Sequence, residues 1–249
     1  MIFHNVHLVS SSIYPFFLGL CLFGFFVGLV VFFKSGLFVF FLLNLVFLLF
    51  IFFVWVKDFC YESLGGYHNF LVVSGFKLGF VVFLGTEVLF FVGLFWVFYD
   101  NVFLWDFVWW PLEDGHLDYF GLSFFATMCL YVSGLWSTWA HDCMLSGKSP
   151  VLFVFFVIVF GGVFLGVQVY EYFHLFYDIS DGWAGSIFFF MTGFHGFHVL
   201  FGLFLMLMCL FRLCFCFCTM FDYFFLEASV IYWHFVDVVW LFLYVSFYV

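Results

Sequence analysis

Seven apolar runs, each about 19 residues or longer, alternate with short polar breaks along the 249-residue chain. They cover roughly 15–33, 37–56, 70–99, 119–145, 150–176, 183–211 and 223–248. At a rise of about 1.5 Å per residue, a helix of about 20 residues covers the hydrocarbon core of a bilayer, roughly 30 Å thick. The breaks are Lys34–Gly36, Lys57–Gly66, Asn101–Asp118, Ser146–Ser149, Asp178–Gly182 and Arg212–Asp222, none able to hold a soluble domain. Pro150 follows Ser149 and Pro15 lies three residues after Ser12, which predicts proline in a first helical turn behind a serine cap. The pattern therefore predicts an all-α polytopic membrane protein, one domain of seven transmembrane helices over residues 1–249.

Composition sharpens this reading without changing it. With 68% hydrophobic and 8% charged residues, no soluble fold of this length could cover its own apolar surface. Phenylalanine alone supplies 52 positions, near-equivalent to leucine and valine against lipid. The net charge of −10 sits mostly in the short connections. Counting bases in those connections orients the chain: Lys57, Lys77, Lys148 and Arg212 fall on one side and only Lys34 on the other. The second side carries Asp100, Asp106, Glu113, Asp114, Asp118, Asp178 and Asp181. The basic side is expected to be the cytoplasm or matrix, with the N-terminus in and the C-terminus out. The first 17 residues hold no Lys or Arg and fit neither a secretory signal nor an Arg-rich transit peptide. Insertion from the side of synthesis, as for an organelle-encoded product, is the simpler reading. The eight cysteines lie mostly within apolar runs, where cysteine acts as a small hydrophobe. On a helix, Cys214, Cys216 and Cys218 fan out around the axis rather than forming a metal clip.

The polar residues inside these runs are the candidate chemistry. Glu87 sits near the centre of the third run with Phe83, Leu84, Phe90 and Phe91 one turn away. The nearest base on its own helix, Lys77, is about 15 Å along the axis. Desolvation favours the neutral carboxylic acid, and an intramembrane acid marks a functional or a packing site. At a similar depth the spacing i, i+3 puts His195 and His198 on one face, and likewise His234 and Asp237. A metal or haem site, a proton path and a set of inter-helix hydrogen bonds are all compatible with these residues. Gln168, Glu171 and His174 form a third stripe, near the acidic side, read as a packed polar interface. Gly24-xxx-Gly28, Gly75-xxx-Gly79 and Gly162-xxx-Gly166 are candidate close-packing faces.

Longer motifs carry a family resemblance. EASVIYWHFVDVVWLFLYVSFYV (Glu227–Val249) and DISDGWAGSIFFFMTGFHGFHVLFG (Asp178–Gly202) resemble the C-terminal third of subunit III of the haem–copper cytochrome c oxidases. TEVLFFVGLFWVFY (Thr86–Tyr99) is similar to the family's third-helix signature, SGLWSTWAH (Ser133–His141) to its fourth, and WVKDFCYES (Trp55–Ser63) to its second inner connection. The resemblance implies a seven-helix bundle in which helices 1–2 lean away from helices 3–7, leaving a V-shaped cleft for phospholipids. It implies an accessory core subunit of respiratory complex IV, packing on subunit I, holding lipids and supporting proton uptake while cytochrome c reduces O2 to water. By the same resemblance haem a, haem a3 and copper belong to partner subunits I and II, and no catalytic or metal-binding residue is expected in this chain. Glu87 matches the family's buried third-helix acid, a candidate for a proton or oxygen path or for lipid contact. Lys77, His68, Arg212 and Glu62 fall where lipid headgroups are met. A mitochondrial inner membrane, or a bacterial plasma membrane, is the implied location.

Two departures stand out. Trp109-Trp110-Pro111-Leu112-Glu113-Asp114-Gly115 only loosely echoes the family's outer-loop pattern, and Tyr61 replaces a basic residue before Glu62. The rival readings are a quinol oxidase subunit III, a proton-coupled transporter and a di-iron membrane enzyme. The transporter lacks an inverted repeat here, and the di-iron enzyme would need further His clusters at one membrane face.

Overall fold

The computed structural model describes residues 9, 11–68, 70–104, 120–214 and 224–248. Seven helices follow one another: α1 (Tyr14–Ser35), α2 (Val39–Leu64), α3 (Phe70–Leu104), α4 (Leu122–Leu145), α5 (Val151–His174), α6 (Gly182–Cys214) and α7 (Phe224–Phe247). No strand occurs among the described residues. Most of the connection 101–118, with Trp109, Trp110, Pro111 and four of the acidic residues, lies outside them, as do the first eight residues, Cys216 and Cys218.

All the helices but α4 are long and apolar enough to cross a membrane. α4 is as long as α5 and α7, 24 residues, but carries more polar side chains. Those polar groups are turned inwards: Ser123, Thr127, Ser133 and Ser137 are all buried.

Helix ends depart from the hydropathy pattern in three places. Lys57, Asp58 and Glu62 read as a break, yet α2 runs through them and stops before Gly66, whose φ of 76° takes the left-handed conformation open to glycine. α3 passes Asp100 and continues to Leu104; Asn101 satisfies its amide by donating to the Val97 carbonyl at 2.7 Å. The serine caps do not form. α1 and α5 are capped by Ile13 and Pro150, without a side-chain hydrogen bond.

The chain forms two compact units, Met1–Phe76 and Lys77–Val249, a division invisible in the hydropathy pattern. In the first, α1 packs on α2. A Cβ at Gly28 would lie 2.9 Å from the Phe41 backbone, and the Phe25 and Phe41 rings meet at a tilt with centres 4.8 Å apart, so the expected Gly24-xxx-Gly28 face is a packing face.

In the second unit α4 packs on α5 and α7, and α6 on α5 and α7. Trp233 of α7 ties these four helices together. It is fully buried, and its indole N–H donates to Ser133 of α4 at 2.9 Å. Its ring fills the space left by Gly161 of α5 and Gly202 of α6, where an added Cβ would lie 2.6 and 2.9 Å from the indole. Trp240, two turns on, donates to Thr127 of α4 at 3.0 Å. Burial of the indoles is tolerated in an apolar core because each N–H has an acceptor.

The other two small-residue motifs do not pack. A Cβ at Gly75, Gly79, Gly162 or Gly166 would meet nothing within 4 Å among the described residues. On α5 the inward face is Val154, Val157, Gly161, Phe164, Gln168 and Glu171; Gly162 is one residue, about 100° around the axis, away from it.

α3 meets α6 and α7 of its unit through aromatic side chains. Phe83 stacks on Tyr232 at 6.3 Å, Phe91 meets Phe235 at 6.0 Å and Phe98 meets Phe247 at 4.6 Å. These offset and edge-on pairs contribute about 0.5–1.5 kcal/mol each.

Candidate functional site

Glu87 projects from the middle of α3, and His198 of α6 meets it. His198 Nε2 lies 2.8 Å from Glu87 Oε2. The other ring nitrogen, Nδ1, lies 2.7 Å from the Phe194 carbonyl. A carbonyl can only accept, so Nδ1 carries a hydrogen and donates it. The remaining nitrogen then bonds the carboxyl group only through a shared proton. Either the neutral acid donates to a neutral imidazole, or an imidazolium donates to a carboxylate. The pair has no net charge in both forms, which lowers the cost of placing it at mid-depth. Phe90 and Phe91 lie against the imidazole, with ring centres 6.3 and 5.0 Å away. Sequence reasoning put His198 at the right depth but could not see that it turns to α3.

His195 does not join this pair. One turn earlier on α6, it faces α5 and α7, edge-on to Phe164 at 5.8 Å and against Trp240 at 5.1 Å. Its Nε2 donates to the Val236 carbonyl at 3.2 Å. The i, i+3 spacing is about 60° short of a full turn, enough to send the two rings to different neighbours.

His234 and Asp237 lie together on α7, Nδ1 to Oδ2 3.8 Å, facing α4. Ser137 Oγ is 3.3 Å from His234 Nε2, and Asp237 Oδ2 would sit 2.5 Å from a Cβ at Gly134. Ser137 and Gly134 were not singled out from sequence; serine three residues after glycine on a weakly apolar helix is the signal that could have found them. Among the described residues no group of three or more His, Cys, Asp or Glu is placed to hold a metal ion.

The stripe at the end of α5 is altered by the structure. Gln168 and Glu171 are buried, and Ser123 of α4 donates to Glu171 at 3.3 Å. His174 leaves the stripe: it is exposed, stacked on Tyr170 at 4.0 Å and bonded to the Tyr170 carbonyl at 2.9 Å. Tyr177, in the α5–α6 connection, is buried against Phe188 and Phe189. Burial, and then the Glu171 charge, push the Tyr177 hydroxyl above its ordinary pKa, so it stays protonated.

The predicted headgroup residues divide between the units. In the first, His68 lies between Phe59 at 4.8 Å and Phe76 at 5.5 Å, and Glu62 is half-buried on α2. In the second, Lys77 is 50% exposed and reaches Glu227 at 3.3 Å, with its ammonium 5.8 Å from the Phe224 ring centre. Arg212 is only 5% exposed, its guanidinium 5.3 Å from the centre of Phe225. Lys77 and Arg212 thus converge on the first turn of α7. Glu227, the partner of Lys77, was not anticipated.

Residues 4–249 match the family model described as cytochrome c oxidase subunit III. The chain belongs to the cytochrome c oxidase subunit III family. Curated proteins named cytochrome c oxidase subunit 3 are similar along nearly its whole length. That of Chondrus crispus is 38% identical over 98% of this chain and 93% of its own. That of Triticum aestivum is 38% identical and that of Branchiostoma lanceolatum 37%, each over 98% of this chain and 96% of its own. A subunit III chain is an all-helical membrane protein, in agreement with the helices described above.

Proposed function

We propose that this chain serves cytochrome c oxidase as a subunit without a redox centre of its own, by stabilising subunit I, holding structural phospholipids and supporting proton uptake. Family membership makes it part of a cytochrome c oxidase and decides against the quinol oxidase alternative. Haem a, haem a3 and copper are then held by subunits I and II, and the membrane is the mitochondrial inner membrane.

One observation carries the supporting role. Four polar groups of the membrane interior close on neighbouring helices of the same chain: Glu87 on His198, His195 on the Val236 carbonyl, His234 on Ser137, Trp233 on Ser133. Such bonds hold helices together in lipid, at about 0.6 kcal/mol on average and up to about 1.7.

The lipid-holding part rests on the basic end of the second unit. An ammonium and a guanidinium brought to the same helix terminus suit a phosphate, Lys77 as a mobile point charge and Arg212 as a fixed fork. The double variant Lys77→Ala with Arg212→Ala is expected to lower the anionic phospholipid that co-purifies with the complex, measured by mass spectrometry of extracted lipids. Unchanged anionic lipid would count against this assignment.

A further inference from the structure

An open groove of about 580 Å³ lies between α3 and α7 in the second unit, within the size range of small-ligand sites, roughly 300–1,000 Å³. Val88, Val92, Phe95 and Trp96 form one wall, and Val238 and Phe242 the other. Its floor is built: Phe91 meets Phe235 and Phe95 meets Phe242 edge-on, with ring centres 6.0 and 6.1 Å apart. Near its upper rim the Tyr99 hydroxyl and Ser246 share a 2.8 Å hydrogen bond between the two helices.

The groove is graded along its length. The end near Val88 is wholly apolar and begins one residue beyond Glu87, at mid-depth of the helix. The other end carries Trp96, Tyr99 and the exposed carboxylate of Asp100. Tryptophan and tyrosine mark the level of the headgroups. From Val88 to Asp100 the rise is about 18 Å, close to the roughly 15 Å depth of one leaflet's hydrocarbon. Charge selects the headgroup. Neither α3 beyond Lys77 nor α7 carries a Lys or Arg, so the groove's own helices offer a phosphate no cation at this end, while Asp100 offers an ammonium its counter-charge.

We propose that this groove is a binding site for one acyl chain of a phospholipid with an ammonium headgroup, its tail along α3 towards Glu87 and its ammonium at Asp100. The site rests on the lipid-holding reading above and adds to it a place and a headgroup class, distinct from the basic end at Lys77 and Arg212.

The test uses the intact oxidase complex, stripped of lipid in detergent and incubated with vesicles of equimolar dioleoyl phosphatidylethanolamine and phosphatidylglycerol. Native mass spectrometry then reads the lipid retained. Val92→Trp fills the groove from an exposed position and is expected to remove about one phosphatidylethanolamine per complex. Leu89→Trp, three residues nearer mid-depth and outside the groove lining, should remove none. Asp100→Lys should shift the preference towards phosphatidylglycerol about thirtyfold, two charges of about fivefold each at a membrane surface. Equal retention by wild type and Val92→Trp, equal loss in Leu89→Trp, or unchanged preference in Asp100→Lys would each overturn the site. If Lys77→Ala with Arg212→Ala still loses anionic lipid while Val92→Trp loses nothing, only the groove fails. If neither variant loses lipid, the lipid-holding reading fails with it.

Discussion

Gly161→Val is expected to cost about 3 kcal/mol and to leave little assembled complex on a native gel, whereas Gly162→Val, one residue on, should assemble as wild type. The difference is geometric. A Cβ at Gly161 would lie 2.6 Å from Trp233 and 2.8 Å from Leu203, while one at Gly162 would meet nothing within 4 Å. Trp233 cannot move aside, because it is fully enclosed and its N–H is held by Ser133. Lipid tails are as apolar as the helix faces, so this bundle is held by close fit and hydrogen bonds rather than by exclusion of water. A misplaced side chain at the point where α5, α6 and α7 meet therefore acts on all three. Normal assembly of Gly161→Val would show that Trp233 does not lock the bundle.

The second large effect concerns the pair at mid-depth. His198→Leu leaves the Glu87 carboxyl group without its donor or acceptor in an apolar setting, and a loss of about 1–2 kcal/mol is expected. Glu87→Leu alone should cost about as much. The double variant should cost less than the sum of the two, by about 1 kcal/mol, the signature of a direct contact. Glu87→Gln keeps a hydrogen-bonding group beside Nε2 and should lose the least. Thermal inactivation of the purified complexes gives the order of the four variants. Strict additivity would mean that the 2.8 Å contact contributes nothing. In none of the variants should the haem spectra change.

The fold was largely legible because hydropathy in a membrane protein answers to one solvent. α4 shows where that signal weakens: it packs on both α5 and α7, so it can carry Ser123, Thr127, Ser133 and Ser137 on buried faces. Lys57 to Glu62 shows a second weakness, since charge ends an apolar run without ending a helix; Gly66 does that. Packing faces were harder. Three glycine pairs had the spacing, but among the described residues only Gly24-xxx-Gly28 packs, and the closest approach on α5 is at Gly161, outside any such pair. Spacing along one helix does not tell which way the helix is turned.

The same limit governed the candidate site. Glu87 stood out as an acid in hydrocarbon, and His195 and His198 stood out at its level. Which histidine meets it depends on the rotation of α6 about its axis, a property of the packed unit. Likewise His174 fits the polar stripe of α5 by number, yet the helix ends there and its ring folds back on Tyr170. Tyr177 comes from a connection and is buried against α6 with no spacing rule to announce it.

That this chain supports the oxidase without binding a redox centre can be measured by tagging the chain, capturing the oxidase through it, releasing the chain from the complex and recording its visible spectrum and copper content. The captured complex should oxidise cytochrome c with O2, and the released chain should show no haem band and no copper. Haem or copper remaining with the released chain would contradict the claim.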